Sequence, residues 1–85
     1  MKKYRKKPVV VEAVQWDGTN NGAQKIYDII LPGYKIRGIV LNFTLRTIKG
    51  NLYASPKDWI IKGTEGEFYI CPPDIFEATY EEVKE

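Results

Sequence analysis

Apolar and polar positions alternate most clearly between residues 55 and 71. Trp59-Ile60-Ile61 is a short apolar run of β-forming residues. Further on, Phe68 and Ile70 alternate with Glu67, Tyr69 and Cys71. Between the two runs, Gly63 and Gly66 bracket Thr64-Glu65, which predicts a β-hairpin with a loop of about four residues. Before it, Pro56 presets φ for a turn, and the Asp58 carboxylate is able to fold back onto nearby backbone N–H groups. After it, Pro72-Pro73 cannot donate ladder hydrogen bonds, so the strand ends there.

The same reading extends to the rest of the chain. Residues 9–16, Val-Val-Val-Glu-Ala-Val-Gln-Trp, form a β-branched and nearly continuous apolar run. It predicts a strand opened by Pro8 and covered on both faces. Glu12 interrupts it, and a carboxylate among valines must find a partner, reach an edge or bind something. Asp17-Gly18 makes a turn, and Thr19-Asn20-Asn21 supplies N-caps. Ala23, Ile26, Tyr27 and Ile30 then fall on one stripe of an amphipathic helix of two to three turns, the only helix the pattern predicts. Leu31-Pro32-Gly33 ends it. From Ile39 the period changes to two, with Ile39, Leu41, Phe43, Leu45 and Thr47 on one face and a bulge or break at Asn42. Lys49-Gly50-Asn51 turns this strand back into residues 52–55. Residues 76–81 alternate again as a final strand, with Phe76, Ala78 and Tyr80 inward. The sum is an α+β domain: a small, strongly bent antiparallel β-sheet or open barrel with one amphipathic helix.

Composition sharpens this picture. The 85 residues form one domain near the lower limit for a self-sufficient core, with 44% hydrophobic and 13% aromatic residues. Such a small core predicts that an exposed strand edge pairs with a second copy, in a homodimer or larger assembly. Residues 1–7 carry five basic residues around Tyr4, and the last dozen carry Asp74, Glu77, Glu81, Glu82 and Glu85. An arm for phosphate or anionic lipid is one reading of the basic run. Pairing of the two terminal strands, with mutual neutralisation, is the favoured one. The net charge of +2 is too small to argue for nucleic acid.

Candidate chemistry is limited by what is missing. With no histidine, one serine and one cysteine, the chain cannot assemble a Ser-His-Asp or Cys-His device, and it has no paired-cysteine metal site or P-loop spacing. This predicts a non-enzyme without cofactor or metal. A single cysteine, expected to be a passive thiol, and no signal-peptide pattern point to the cytoplasm. No apolar run is long enough to span a membrane, so no membrane role is expected.

Lys3-Tyr4-Arg5-Lys6-Lys7-Pro8 and the strand after it, together with Ala54-Ser55-Pro56-Lys57-Asp58-Trp59-Ile60-Ile61-Lys62-Gly63, Gly66-Glu67-Phe68-Tyr69 and Pro73-Asp74-Ile75-Phe76, resemble a group of small phage- and prophage-encoded proteins. The second segment is similar to their Pro-Gly-Asp-Tyr-Gly type of motif. Lys57 stands at its first glycine, Trp59 at its tyrosine and Ile60 at its last glycine. The resemblance covers most of the chain apart from the helix and the stretch before Leu45. It implies a phage origin, in the host cytoplasm, and carries no mechanism.

A phage protein without catalytic groups acts by binding. The first expectation is an anti-defence sponge for a nucleotide-derived immune signal, which needs flat aromatic surfaces for a base and Arg or Lys donors for phosphate. The candidate residues are Trp16, Tyr53, Trp59 and Tyr69 as stacking surfaces and Arg5, Arg46 and Lys62 as cations. Gln15, Asp17 and Asp58 would read base or ribose edges. For each aromatic, a place in the core is the competing reading. The second expectation is an inhibitor of a host protein or a virion-associated accessory protein, using an exposed strand edge and an aromatic patch. Single-stranded nucleic-acid binding is a weaker third.

Overall fold

A computed structural model of the chain describes residues 1–6, 9–48 and 50–83. The expected strand start at Pro8, Lys7 of the basic run, Lys49 of the turn and Glu85 of the acidic end lie outside the described residues. Strands β1 (Lys2–Lys6) and β2 (Val9–Gln15) pair antiparallel, with Lys2 opposite Ala13 and Tyr4 opposite Val11. Helix α1 (Asn20–Ile30) follows, then the hairpin of β3 (Phe43–Thr47) and β4 (Gly50–Ala54). The predicted hairpin forms as β5 (Trp59–Lys62) and β6 (Phe68–Cys71), with Ile60 opposite Ile70. Helix α2 (Pro73–Thr79) and the two-residue strand β7 (Glu81–Glu82) complete the chain. The fold is α+β, with one five-stranded antiparallel sheet in the order β6-β5-β2-β1-β7 and a separate β3-β4 sheet. The sheets do not close into a barrel.

The five-stranded sheet separates two apolar clusters. On one face Ile60, Phe68 and Ile70 pack with Trp16, with Ala23, Ile26 and Tyr27 of α1, and with Phe43, Leu45 and Ala54 of the small sheet. On the other, Val11, Ala13 and Ile61 pack under Phe76 of α2. Adjacent Ile60 and Ile61 serve opposite clusters because strand side chains alternate. Coverage of β2 is narrower than the apolar run predicts. Val11 and Ala13 are buried, but Val10 is 43% exposed. Glu12 is half-buried, directly across from Lys3 on one side and Lys62 on the other, so it sits between two basic neighbours.

The first helix has the predicted stripe and caps. The Thr19 hydroxyl accepts from the Gly22 N–H at 2.9 Å. The Asp17 carboxylate in turn accepts from the Thr19 N–H at 2.9 Å and from its hydroxyl at 2.7 Å. Gly33, after the break, has φ +92°.

Two expectations are corrected. The alternation from Ile39 is not a strand before Phe43. Instead, side chains of α1 satisfy the backbone of this loop. Asn20 donates to the Gly38 carbonyl at 2.6 Å and accepts from the Val40 N–H at 2.9 Å. Gln24 donates to the Tyr34 carbonyl at 2.8 Å and accepts from the Ile36 N–H at 2.9 Å. Ile36 and Val40 pack against the core, while Ile39 and Leu41 point to solvent.

The second correction is at residues 73–79, which form a second helix, so the single-helix expectation fails. Pro73 occupies the first turn, where a missing N–H costs nothing, and Asp74 is at the positive end. Phe76 and Tyr80 stack one helical turn apart, centroids 4.8 Å. Ala78, expected inward, is exposed. Only β7 remains of the expected final strand. It pairs with β1 as the terminal charges predict, with Arg5 to Glu81 at 2.8 Å and Lys2 to Glu82 at 3.6 Å.

Lys57 keeps the turn that the motif's glycine would make. In place of a motif glycine, this lysine holds the left-handed conformation at φ +76°. Its N–H donates to the Trp16 carbonyl at 2.8 Å, and its own carbonyl accepts from the Gln15 amide at 2.9 Å. The surrounding contacts over-determine the turn.

Candidate functional site

The end of α1, the loop after it, β3 and β6 enclose a groove of about 650 Å³. Tyr27 forms its floor. Its ring stacks on Phe43 with centroids 4.5 Å apart, and its hydroxyl donates to the Thr44 carbonyl at 2.7 Å. Burial pushes the Tyr27 phenol up, the hydrogen bond to Thr44 partly offsets this, and the neighbouring Tyr34 adds to the rise. The phenol therefore stays neutral and structural across the ordinary pH range.

The walls come from three separate elements. Tyr34 leans on Tyr27, centroids 4.7 Å, and is held there because Gln24 grips its carbonyl. Phe68 of β6 and Ile30, Leu31 and Leu45 supply apolar surface, and Arg46 of β3 supplies a cation. Arg46 is exposed and has no ion pair or hydrogen-bonding partner among the described residues. Among the described residues, no carboxylate lines the groove. An apolar, aromatic-walled groove with one free guanidinium suits a planar ring that carries an anion.

Of the residues singled out in the sequence, Arg46 alone lies in this groove. Trp16 is fully buried, and its indole N–H donates to the Thr19 carbonyl at 2.9 Å, so it is core and leaves no face for a ligand. Trp59 is half-buried, stacked on Phe76 at 4.0 Å with Tyr4 edge-on at 5.1 Å, and its buried Nε1 has no hydrogen-bonding partner among the described residues. Arg5 is occupied by Glu81. Gln15, Asp17 and Asp58 brace turns: the Asp58 carboxylate accepts from the Ser55 N–H at 2.9 Å, as its position predicts. The hydrogen bonds from Thr19 hold the Asp17 carboxyl below the usual range. Tyr53 and Tyr69 are exposed on β4 and β6, and Lys62 is exposed beside Glu12, in a shallow hollow with Lys3 and Val10.

Sequence reading missed Tyr34 and Phe68 as groove walls and took Tyr27 for core alone. Tyr34 lies in a segment without periodicity, and Phe68 reads as one more inward strand position. Cys71 is half-buried. Burial and the Asp58 and Asp74 carboxylates push its thiol up, which disfavours the reactive thiolate. Among the described residues, no group of three or more carboxylate or cysteine side chains could hold a metal ion, and no helix is long and apolar enough to cross a membrane. Compared with known protein families, curated proteins and solved structures, the chain matches none of them.

Proposed function

We propose that this protein is a non-enzymatic accessory protein of phage origin that sequesters a nucleotide-derived signal, with the base in the Tyr34–Phe68 groove and the phosphate on Arg46. The observation that carries this reading is that Arg46, at an aromatic groove, has among the described residues neither a partner nor a neighbouring carboxylate in the groove lining. A ligand that binds only the folded state raises the melting temperature, by an amount that grows with the logarithm of its concentration relative to Kd.

The test is a thermal-shift screen against cyclic di- and trinucleotides, ADP-ribose derivatives and short single-stranded DNA. One cyclic or ADP-ribose-type compound raises the melting temperature by several degrees, and the others do not. Arg46→Ala weakens that compound by about 1.5–3 kcal/mol, the scale of a charged hydrogen bond, which is more than tenfold in Kd. Arg5→Ala leaves it unchanged. A cooperatively melting protein that no compound shifts sinks this reading.

A second reading, an inhibitor of a host protein, rests on the β3-β4 hairpin. It is a two-stranded sheet that no other strand extends among the described residues, and its Ile48 and Tyr53 are exposed. It requires a host protein whose binding is lost with Tyr53→Lys and unaffected by nucleotides.

A further inference from the structure

We propose that the protein associates with further copies of itself head to tail, the loop between α1 and β3 of one copy receiving α2 of the next. Charge is segregated along this chain in a way its net value conceals. Residues 18–55 hold five basic side chains against the single acid Asp28, a net of +4. Residues 63–83 hold six acids and no lysine or arginine, a net of −6.

Strand β6 of the acidic block packs beside β3 and β4, and Glu81 and Glu82 pair with Arg5 and Lys2, but the fold keeps the basic loop apart from Asp74 and Glu77 of α2. The loop is bound to α1 by Asn20 and Gln24 and lies with the cluster on the Ile60 face of the sheet. Helix α2 covers the Ile61 face. The basic loop and the acidic helix therefore look out from opposite sides of one molecule.

Each surface also carries apolar groups with nothing over them. In the loop Ile39 is 85% and Leu41 78% exposed, close in sequence to Lys35 and Arg37. In α2, Ile75 is 54% exposed between Asp74 and Glu77, and neither acid forms an ion pair among the described residues. Ile39 and Leu41 make a small apolar patch beside Lys35 and Arg37, and Ile75 is its counterpart between two acids. Two-fold pairing of the loop with itself would set Lys35 and Arg37 against their own copies. The occupant with matching apolar groups and opposite charge is on this same chain. A contact between different, opposite-facing patches is heterologous, so it builds rings or filaments and no closed pair. With about one loop and two helical turns per side it is small and transient, and salt weakens it.

Sedimentation velocity on the full chain tests this with two variants. Arg37→Glu/Ile39→Asp blocks the loop, and Asp74→Lys/Glu77→Lys blocks the helix; all four side chains are exposed and outside the groove. Wild type gains mass with concentration at low ionic strength and loses it at high. Each variant alone, with its melting temperature checked, stays monomeric. Mixed, they associate again, because the intact loop of one meets the intact helix of the other. The mixture also shows that both variants are folded. A wild type that stays monomeric at every concentration and ionic strength overturns the proposal. So does an assembly that neither variant disrupts, or a mixture that fails to pair.

Discussion

Two turn residues that touch the same proline-containing turn respond to substitution in opposite directions. Lys57 sits at φ +76°, where a side chain costs about 1–2 kcal/mol. Lys57→Gly removes that cost but adds about 0.5–1 kcal/mol of chain entropy. The expected net is a gain of about 0.5–1 kcal/mol, seen as a melting temperature a few degrees higher. Gly18 has φ +89°, and a Cβ there would lie 2.9 Å from the Pro56 Cβ. Gly18→Ala is therefore expected to lose at least about 1 kcal/mol in the same measurement. Asp17 gives a pH signature. Its carboxyl is held below its ordinary value, so its contribution is present above the unfolded-state value and lost as pH falls through the lower folded value. Thermal melts of wild type and Asp17→Asn should differ at neutral pH and converge in that acid window.

At the scale of elements, α2 depends on one side chain. Phe76 is buried, stacks on Trp59 at 4.0 Å and on Tyr80 at 4.8 Å, and meets Tyr4 edge-on at 5.0 Å. Phe76→Ala should cost about 3–5 kcal/mol and expose Trp59, read as a red shift of tryptophan emission. The β1–β7 contact is different in kind. Arg5 and Glu81 are both exposed, so Glu81→Gln should change stability by less than about 1 kcal/mol. An unfolding midpoint far below wild type for that variant would show that the terminal strand does more than neutralise charge. Helix α1 gains from both ends of its role: its apolar stripe builds the core, and its polar face holds the loop that carries Tyr34.

For the whole molecule, the sheet acts as a partition. One cluster and the groove lie on its Ile60 side, and α2 closes its Ile61 side. The ligand reading belongs to the groove side alone, while head-to-tail association needs both. The two are separable by experiment, since Arg37→Glu/Ile39→Asp leaves Arg46 and Tyr34 in place. A ligand-induced thermal shift should persist in that variant when its assembly is lost.

The amino-acid sequence by itself determined the elements whose signals are local. Proline and glycine punctuation around two short apolar runs sufficed for the β5–β6 hairpin, and an apolar stripe with Thr19 before it sufficed for α1. The opposite charges of the termini showed that the two ends meet, though not that the last strand shrinks to Glu81–Glu82. Tertiary structure decided the rest, for identifiable reasons. Phe76 and Tyr80 are four residues apart, a spacing that fits both a strand face and a helix face; Pro73 and the packing of Phe76 on Trp59 chose the helix. Ile39 and Leu41 alternate like a strand, yet a strand exists only where another strand can pair with it, and here Asn20 and Gln24 met the backbone instead. Trp16 became core because the Asp17–Thr19 turn folds over its indole N–H. The groove joins residues from α1, β3 and β6, and contacts between elements so far apart along the chain leave no local periodicity to read.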